Sequence, residues 1–398
     1  MLAQRTGMPE SAPSSPCLAG PKIFALAPRR PARYPFPHLT GLGCDRFEVA
    51  RGRAGQPVAV DLFCGSGAVT AALRSQGYRV ALALDNDPVA CRTYKLNHYR
   101  TRLVCNDIRS VDPLTHPKMR DLNRIDLLVV CAPCQPFSSQ NRNRGGGDNR
   151  AELILEAVKF AAALRPRAVL FENVSGLAAA GNQSLVERLR TAFEAEGYRL
   201  GSPRRIDAAK LGVPQRRVRC VMLAAETEAA LAHFHSSILP HRASTVREAI
   251  AHLPPLETGE RSEDPLHFAR VHQDIALKRL RHIPADGGSR AELPPHLILD
   301  CHRGRRKSFS DVYGRMRWDD VAPTLTTGCT DLTKGRFAHP EQDRAITLRE
   351  AALLQTFPET YRFFGNGAQI ARQIGNAVPV RMVEALVPLL APIIERRL

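Results

Sequence analysis

Between Pro57 and Ala225 short apolar runs alternate with amphipathic stretches, and this alternation restricts the chain more than any other feature. VAVDLF ends in CGSG and leads into AVTAALRSQG, whose apolar residues recur at helical spacing. YRVALALD precedes NDPVACRTYKLNH, LVC precedes NDI, and IDLLVVCAP precedes the long helical stretch RAELILEAVKFAAAL. RAVLFENV, QSLVERLRTAFEAEG and RVRCVMLAA continue the series as strand, helix and late strand. IDLLVVCAP is apolar on both faces, as a strand inside a parallel sheet must be. Strands alternating with helices predict an α/β fold with a doubly wound, mostly parallel sheet.

Around this unit the texture changes. Residues 1–56 are rich in Pro and Arg without lasting periodicity, which predicts an irregular basic arm. Residues 57–225 form the predicted α/β domain, and residues 226–320 a smaller, loop-rich one carrying two Pro-Pro pairs and many His and Arg. Residues 321–398 are ordered again and return to the first domain, through ITLREAALLQTF and a longer helical stretch broken near Gly375 and Pro379. With 398 residues, the chain can bury a large core without a disulfide or metal staple. Hydrophobic residues at 44% and charged residues at 24% exclude disorder throughout. No run approaches the ~18 uninterrupted apolar residues of a membrane span. The N-terminus has no apolar core of the kind a secretion signal needs, and the ten cysteines are scattered except Cys131 and Cys134, which together predict reduced thiols in the cytosol.

Lys and Arg number 56 against 39 Asp and Glu, a net charge of +17. A polyanion such as nucleic acid is the natural partner, although a basic proteome would give the same balance. The CGSG turn supplies Gly65 and Gly67, which permit a tight turn and a close approach of backbone to a ligand. Asp85, 20 positions after Gly65, ends the next strand, where a carboxylate suits the two hydroxyls of a ribose. Asp107 follows the third strand and is placed to accept from an adenine amino group. The third glycine of a dinucleotide fingerprint is missing, so a nucleoside cofactor without a pyrophosphate fits better; a plain turn with two helix caps is the alternative.

Cys134 sits in APCQPFSSQ, just past the fourth strand, at the sheet edge where chemistry collects in this fold class. Pro133 and Pro136 stiffen the loop around it. A nucleophilic thiolate, a Cys131–Cys134 redox pair and an inert loop all remain open on this ground; zinc lacks its other ligands. Glu172 in FENV reaches the same edge as an acid or hydrogen-bond anchor, or as a helix cap. Gln215, Arg217 and Arg219 in QRRVR alternate as residues on one strand face would.

These segments together resemble the C5-cytosine-specific DNA methyltransferases, most closely the bacterial restriction-modification type. DLFCGSG, APCQPFS, FENV, QRRVR, YGRMRWDDVAPTLTT with the segment after it, and QIGNAVPV look like the family's motifs in their order, over about residues 57–394. The resemblance implies S-adenosyl-L-methionine as cofactor, S-adenosyl-L-homocysteine as product, no metal, and double-stranded DNA as partner. Cys134 would attack C6 of a cytosine flipped out of the duplex. Glu172 would hold or protonate N3, Arg219 contact the cytosine carbonyl and Arg217 support the loop or backbone, while Gln135 and Ser138 belong to the loop that closes on DNA. Phe63, Gly65, Gly67, Asp85, Asn86, Asp107, Ile108, Pro133, Leu153, Asn376 and Val378 would bind the cofactor. Asn86 departs from the bulky residue common at its place, so stacking on adenine would fall to Phe63 or Ile108. Residues 226–320 would read the target sequence, with Arg261, Arg270, Arg281, Arg290, Arg303, Arg305 and Arg306 as candidate contacts. A cytoplasmic, nucleoid-associated monomer, with a cognate restriction endonuclease acting independently and no membrane partner, completes the expectation. A tRNA cytosine methyltransferase and an inactive DNA-binding homologue are the alternatives.

Overall fold

In a computed structural model, described over residues 55–122, 124–133, 149–303 and 311–396, the alternation becomes an eight-stranded sheet with helices on both faces. The chain runs β1 (Val58–Leu62), α1 (Ala68–Ser75), β2 (Arg79–Asp85), α2 (Pro88–Asn97), β3 (Arg102–Cys105) and β4 (Leu127–Val130). It continues through α3 (Ala157–Leu164), β5 (Ala168–Val174), α4 (Gln183–Ala195), β6 (Arg199–Leu200), β7 (Arg204–Asp207) and β8 (Val218–Ala225). The strand order is β3-β2-β1-β4-β5-β8-β6, with β7 also beside β8. β1 to β5 pair in parallel, and β8 runs antiparallel to β5, β6 and β7.

The parallel half was legible because each strand is an apolar run. β6 and β7, spelled RL and RRID, carry no such signal; β8 supplies their pairing partner. Period-two alternation divides the core. Ala59, Leu127 and Val129 face one layer with α1, while Val58, Val60, Leu62, Leu128 and Val130 face the other with α3 and α4. The stretch RAELILEAVKFAAAL differs from the expected long helix: Asn149–Glu156 is 3-10, and only Ala157–Leu164 is α-helical. α2 starts where Asp87 accepts hydrogen bonds from Val89 and Ala90 N–H and Pro88 needs no donor.

Beyond β8 come α5 (Glu228–Ser237), α6 (Val246–Ile250), α7 (Asp274–Arg281), α8 (Leu348–Leu354), α9 (Gly367–Asn376), α10 (Val380–Leu386) and α11 (Ala391–Ile394). Leu231, Phe234, Val246 and Ile250 join the α1 side of the core, as do Leu348, Ile370, Ile374, Val383 and Leu386. Leu280, Ile283, Leu293, Leu297, Val312 and Tyr313 form a smaller cluster of their own. The buried Arg315 holds that cluster together, donating to the carbonyls of Leu280, Ile283 and Gln342 and pairing with Asp343. Gly367–Ile394 is long enough to cross a bilayer and contains an 18-residue window of mean hydropathy 1.8. It is instead broken at Ala377–Pro379 and packs into the core, which accounts for its composition.

Candidate active site

The strand order reverses between β1 and β4, because the chain steps outward to β2 and β3 before returning beside β1. Such a switch point opens a crevice at the carboxyl ends of the strands. The loop after β1 lines it. Phe63 takes φ 61°, a left-handed conformation that costs energy for a side-chain-bearing residue, and Gly65 takes φ 51°. Gly65 N–H donates to Asp85 Oδ2 at 2.8 Å, and Asp87 N–H donates to Asp85 Oδ1 at 2.8 Å. Asp85 thus fixes the loop and also faces the crevice. Burial pushes its carboxyl up, and the Asp87 and Gly65 N–H bonds oppose that.

The crevice is a cleft of about 1710 Å³. Phe63, Gly65, Asp85, Asn86, Pro133, Glu172, Arg217, Arg219, Asn376 and Val378 all line it, so residues from β1 to α9 converge. Four other expected residues are placed differently. Gly67 caps α1 with φ 97°, and a Cβ there would come within 2.6 Å of the His98 ring, so this glycine answers to what packs behind the loop. Asp107 is turned onto Arg109, whose side chain donates to both carboxylate oxygens and holds the carboxyl down to about 2. Ile108 is only 2% exposed in the core, and Leu153 packs against that same core layer. Cys134, Gln135 and Ser138 lie outside the described residues, as do Arg305, Arg306 and the arm up to residue 54. Pro133, the last described residue before Cys134, lines the cleft.

Glu172, near the end of β5, and Arg219 on β8 meet across the sheet, with Arg219 Nε 3.0 Å from Glu172 Oε1. Glu172 Oε1 is buried and has no aligned hydrogen-bond donor among the described residues. Burial raises the Glu172 carboxyl, and the charges of Arg219 and Arg217 oppose the rise. A carboxyl so placed can hold a proton and present it to a ligand. Asn173 beside it donates to Ala132 O at 3.3 Å, which ties β5 to the loop that leads to Cys134.

β8 begins at Val218, so Gln215 and Arg217 precede the strand rather than sharing a face with Arg219. Arg217 is 2% exposed and donates to the carbonyls of Leu325, Gly375 and Ala377 at 2.8–3.1 Å. Gln215 donates to Gln355 Oε1 at 3.0 Å, and Gln355 donates to Ile374 O at 2.7 Å. These buried amides and guanidinium fasten α9, with Asn376, to the sheet. Asn173 stood inside the FENV segment without a role assigned to it, and Gln355 had no local signal, because their partners lie far away in sequence.

Asp61, beneath the loop, is fully buried and accepts from Thr70 Oγ1 at 2.7 Å. Burial pushes its carboxyl up to about 7, against the Thr70 hydroxyl. An acid whose folded pKa exceeds its unfolded value loses stability as pH rises between the two. Asp61→Asn is therefore expected to gain melting temperature relative to the parent more at pH 8 than at pH 5, measured by thermal melts at both. An equal difference at the two pH values would contradict this.

The model of the C-5 cytosine-specific DNA methylase family matches residues 58–390. The chain belongs to that family. The methylase is 38% identical over 329 residues to the Type II methylase M.HgiDII of Herpetosiphon aurantiacus, covering 81% of this chain and 92% of the relative. It is 29% identical to the Type II methyltransferase M.PspPI of Psychrobacter sp., covering 82% and 77%. A prophage-encoded E. coli protein, described as a DNA modification methyltransferase, superposes with TM-score 0.68 at 21% identity, covering 85% and 99%. The S. pombe Dnmt2 methyltransferase does so with TM-score 0.56 at 20% identity, covering 85% and 99%. These two likenesses show the same fold. The methylase is a DNA (cytosine-5-)-methyltransferase of the Type II restriction-modification kind, with DNA as its substrate, and neither the tRNA nor the inactive alternative is favoured. Among the described residues no group of His, Cys, Asp or Glu is placed to hold a metal ion.

Proposed function

We propose that the cleft binds S-adenosylmethionine against the loop after β1 and a flipped cytosine beside Glu172 and Arg219, with Cys134 as nucleophile. One observation carries this reading: Asp85 and the Phe63–Gly65 turn share a single cleft with the buried Glu172 carboxyl, which faces the Arg219 guanidinium at 3.0 Å. The donor set suits this cofactor. A strand-end carboxylate meets ribose hydroxyls, the Phe63 ring and Val378 give apolar wall, and no third glycine is needed where no phosphate is bound. When bound, the cofactor supplies an electrophilic methyl group.

The chain's own residues prepare the cytosine for it. Cys134, as thiolate, forms a bond to C6 and drives the electron pair of the C5–C6 double bond toward C5. Glu172 holds a proton at N3, so the charge pushed into the ring is met by a hydrogen bond. Arg219 would donate to the cytosine carbonyl, and its guanidinium, 3.0 Å from Glu172 Oε1, keeps that carboxyl aimed. Loss of the C5 proton and departure of the Cys134 sulfur then restore the aromatic base. Arg217 and Asn376 act earlier in this ordering, by fixing the wall that α9 contributes. The methylase works in the cytoplasm on duplex DNA, which residues 226–320 read and the basic surface attracts.

The cofactor assignment is tested by calorimetric titration of S-adenosylmethionine into the parent and into Asp85→Ala. The parent should bind, and the variant should bind roughly 100-fold more weakly, because it loses both a ligand acceptor and the Gly65 clamp. An unchanged Kd would remove Asp85 from the cofactor site.

A further inference from the structure

The cofactor loop is held from behind by a part of the chain nearly 300 residues away. Tyr361 O–H donates to Ser66 O at 2.7 Å. His98 Nε2 lies 3.0 Å from Gly67 O and 2.9 Å from the Tyr361 oxygen. Arg74 Nη1 approaches His98 Nδ1 at 3.4 Å, which requires Nδ1 to be the unprotonated nitrogen and makes Nε2–H the donor to Gly67. Burial and the Arg74 charge hold His98 down to about 4, so the imidazole stays neutral and the arrangement keeps one state at neutral pH. Both rings are buried, His98 at 3% and Tyr361 at 4% exposure.

Tyr361 does not reach this place alone. The segment 361–365 lies along α2 as a strap. Asn97 accepts from Arg362 N–H at 3.0 Å and donates to Arg362 O at 2.7 Å. Thr93 Oγ1 accepts from Phe364 N–H at 2.9 Å, and the Arg92 guanidinium sits 4.9 Å over the Phe364 ring. The fit leaves no slack: a Cβ at Gly67 would stand 2.8 Å from the Tyr361 hydroxyl. Buried carbonyls need partners: Ser66 O finds one in the Tyr361 hydroxyl, and Gly67 O, which also accepts from Ala71 N–H at 2.9 Å, gains a second in His98.

We propose that His98 and Tyr361 are positioning residues for the cofactor, which fix the Ser66 and Gly67 carbonyls and thereby hold the Phe63–Gly67 loop in its binding conformation. The inference rests on the assignment of that loop to S-adenosylmethionine. Neither side chain lines the cleft, so each acts through the loop backbone. The strap makes cofactor binding depend on docking of the segment that precedes α9.

The test is titration of S-adenosylmethionine into the full-length parent, Tyr361→Phe, His98→Leu, His98→Gln and Tyr198→Phe, with thermal melts and steady-state rates alongside. Tyr198 is the control, because its buried hydroxyl donates to Pro166 O at 2.6 Å far from the loop. Tyr361→Phe should raise the cofactor Kd and KM about tenfold, with kcat at saturating cofactor within about twofold. Tyr198→Phe should lower the melting temperature by a similar few degrees and leave the Kd unchanged. His98→Leu should weaken binding as Tyr361→Phe does, and His98→Gln, which keeps a donor toward Gly67 O, should restore most of it. An unchanged Kd in Tyr361→Phe, or equal Kd shifts in Tyr361→Phe and Tyr198→Phe, would overturn the proposal while leaving the cofactor assignment standing. A parent that does not bind S-adenosylmethionine would overturn both.

Discussion

Cys134→Ala is expected to reduce methyl transfer by roughly 10⁴-fold or more while S-adenosylmethionine and duplex DNA still bind. The reason is chemical. C5 of cytosine is a poor nucleophile until a group adds to C6; of the described thiols that line the cleft, Cys131 precedes Pro133 at the end of β4, and Cys64 is buried with its thiol pushed well up by that burial. DNA made with 5-fluorocytosine sharpens the test. Fluorine at C5 cannot leave as a proton does, so the parent should remain covalently joined to such DNA after methyl transfer. Denaturing electrophoresis should show that complex for the parent and none for Cys134→Ala. A variant that methylates at the parent rate would remove Cys134 from the reaction.

Glu172→Gln is expected to lower kcat by about 10²–10³-fold with the cofactor Kd unchanged. The isosteric amide keeps the packing between β5 and β8 but cannot deliver a proton to N3. It also removes the charge that pairs with Arg219 at 3.0 Å. Burial raises the Glu172 carboxyl, so its acid form persists to higher pH than an exposed glutamate's. The parent rate should therefore fall as pH rises through that raised value, and the variant's residual rate should lose this descending limb. The checking measurement is the pH profile of single-turnover methylation for both proteins. Trapping on 5-fluorocytosine DNA should slow in parallel, because addition to C6 precedes methyl transfer. A variant with the parent's kcat, or one that binds the cofactor equally more weakly, would place Glu172 outside the chemistry.

The sequence carried the parts of this account whose physics is local. Each parallel strand is a run of apolar residues buried on two faces, so β1 to β5 could be placed from LLVV and its like. Asp85 could be placed because a strand-end carboxylate follows a glycine turn at a fixed interval. Glu172 and Arg219 were legible as strand-end polar groups, although their meeting depends on β8 lying antiparallel to β5, which no local pattern announces. The remainder depends on distant partners. β6 and β7 exist because β8 has an edge to pair. Asp107 has the right position for an adenine contact, yet Arg109 two residues on supplies the competing hydrogen bonds. Gly67 looked like a glycine for close ligand approach, and what approaches it is His98 and Tyr361. Arg217 looked like part of the catalytic strand face, and its guanidinium is occupied by carbonyls from residues 325, 375 and 377.

The central claim is methylation at C5 of cytosine in duplex DNA, and bisulfite sequencing tests it most directly. Mixed-sequence plasmid DNA is incubated with the purified methylase and S-adenosylmethionine, then read for cytosines that resist deamination. Protected cytosines confined to one short recurring context are the predicted result, with protection absent when Cys134→Ala replaces the parent. Complete conversion of every cytosine, under conditions where calorimetry shows the cofactor bound, would contradict the account.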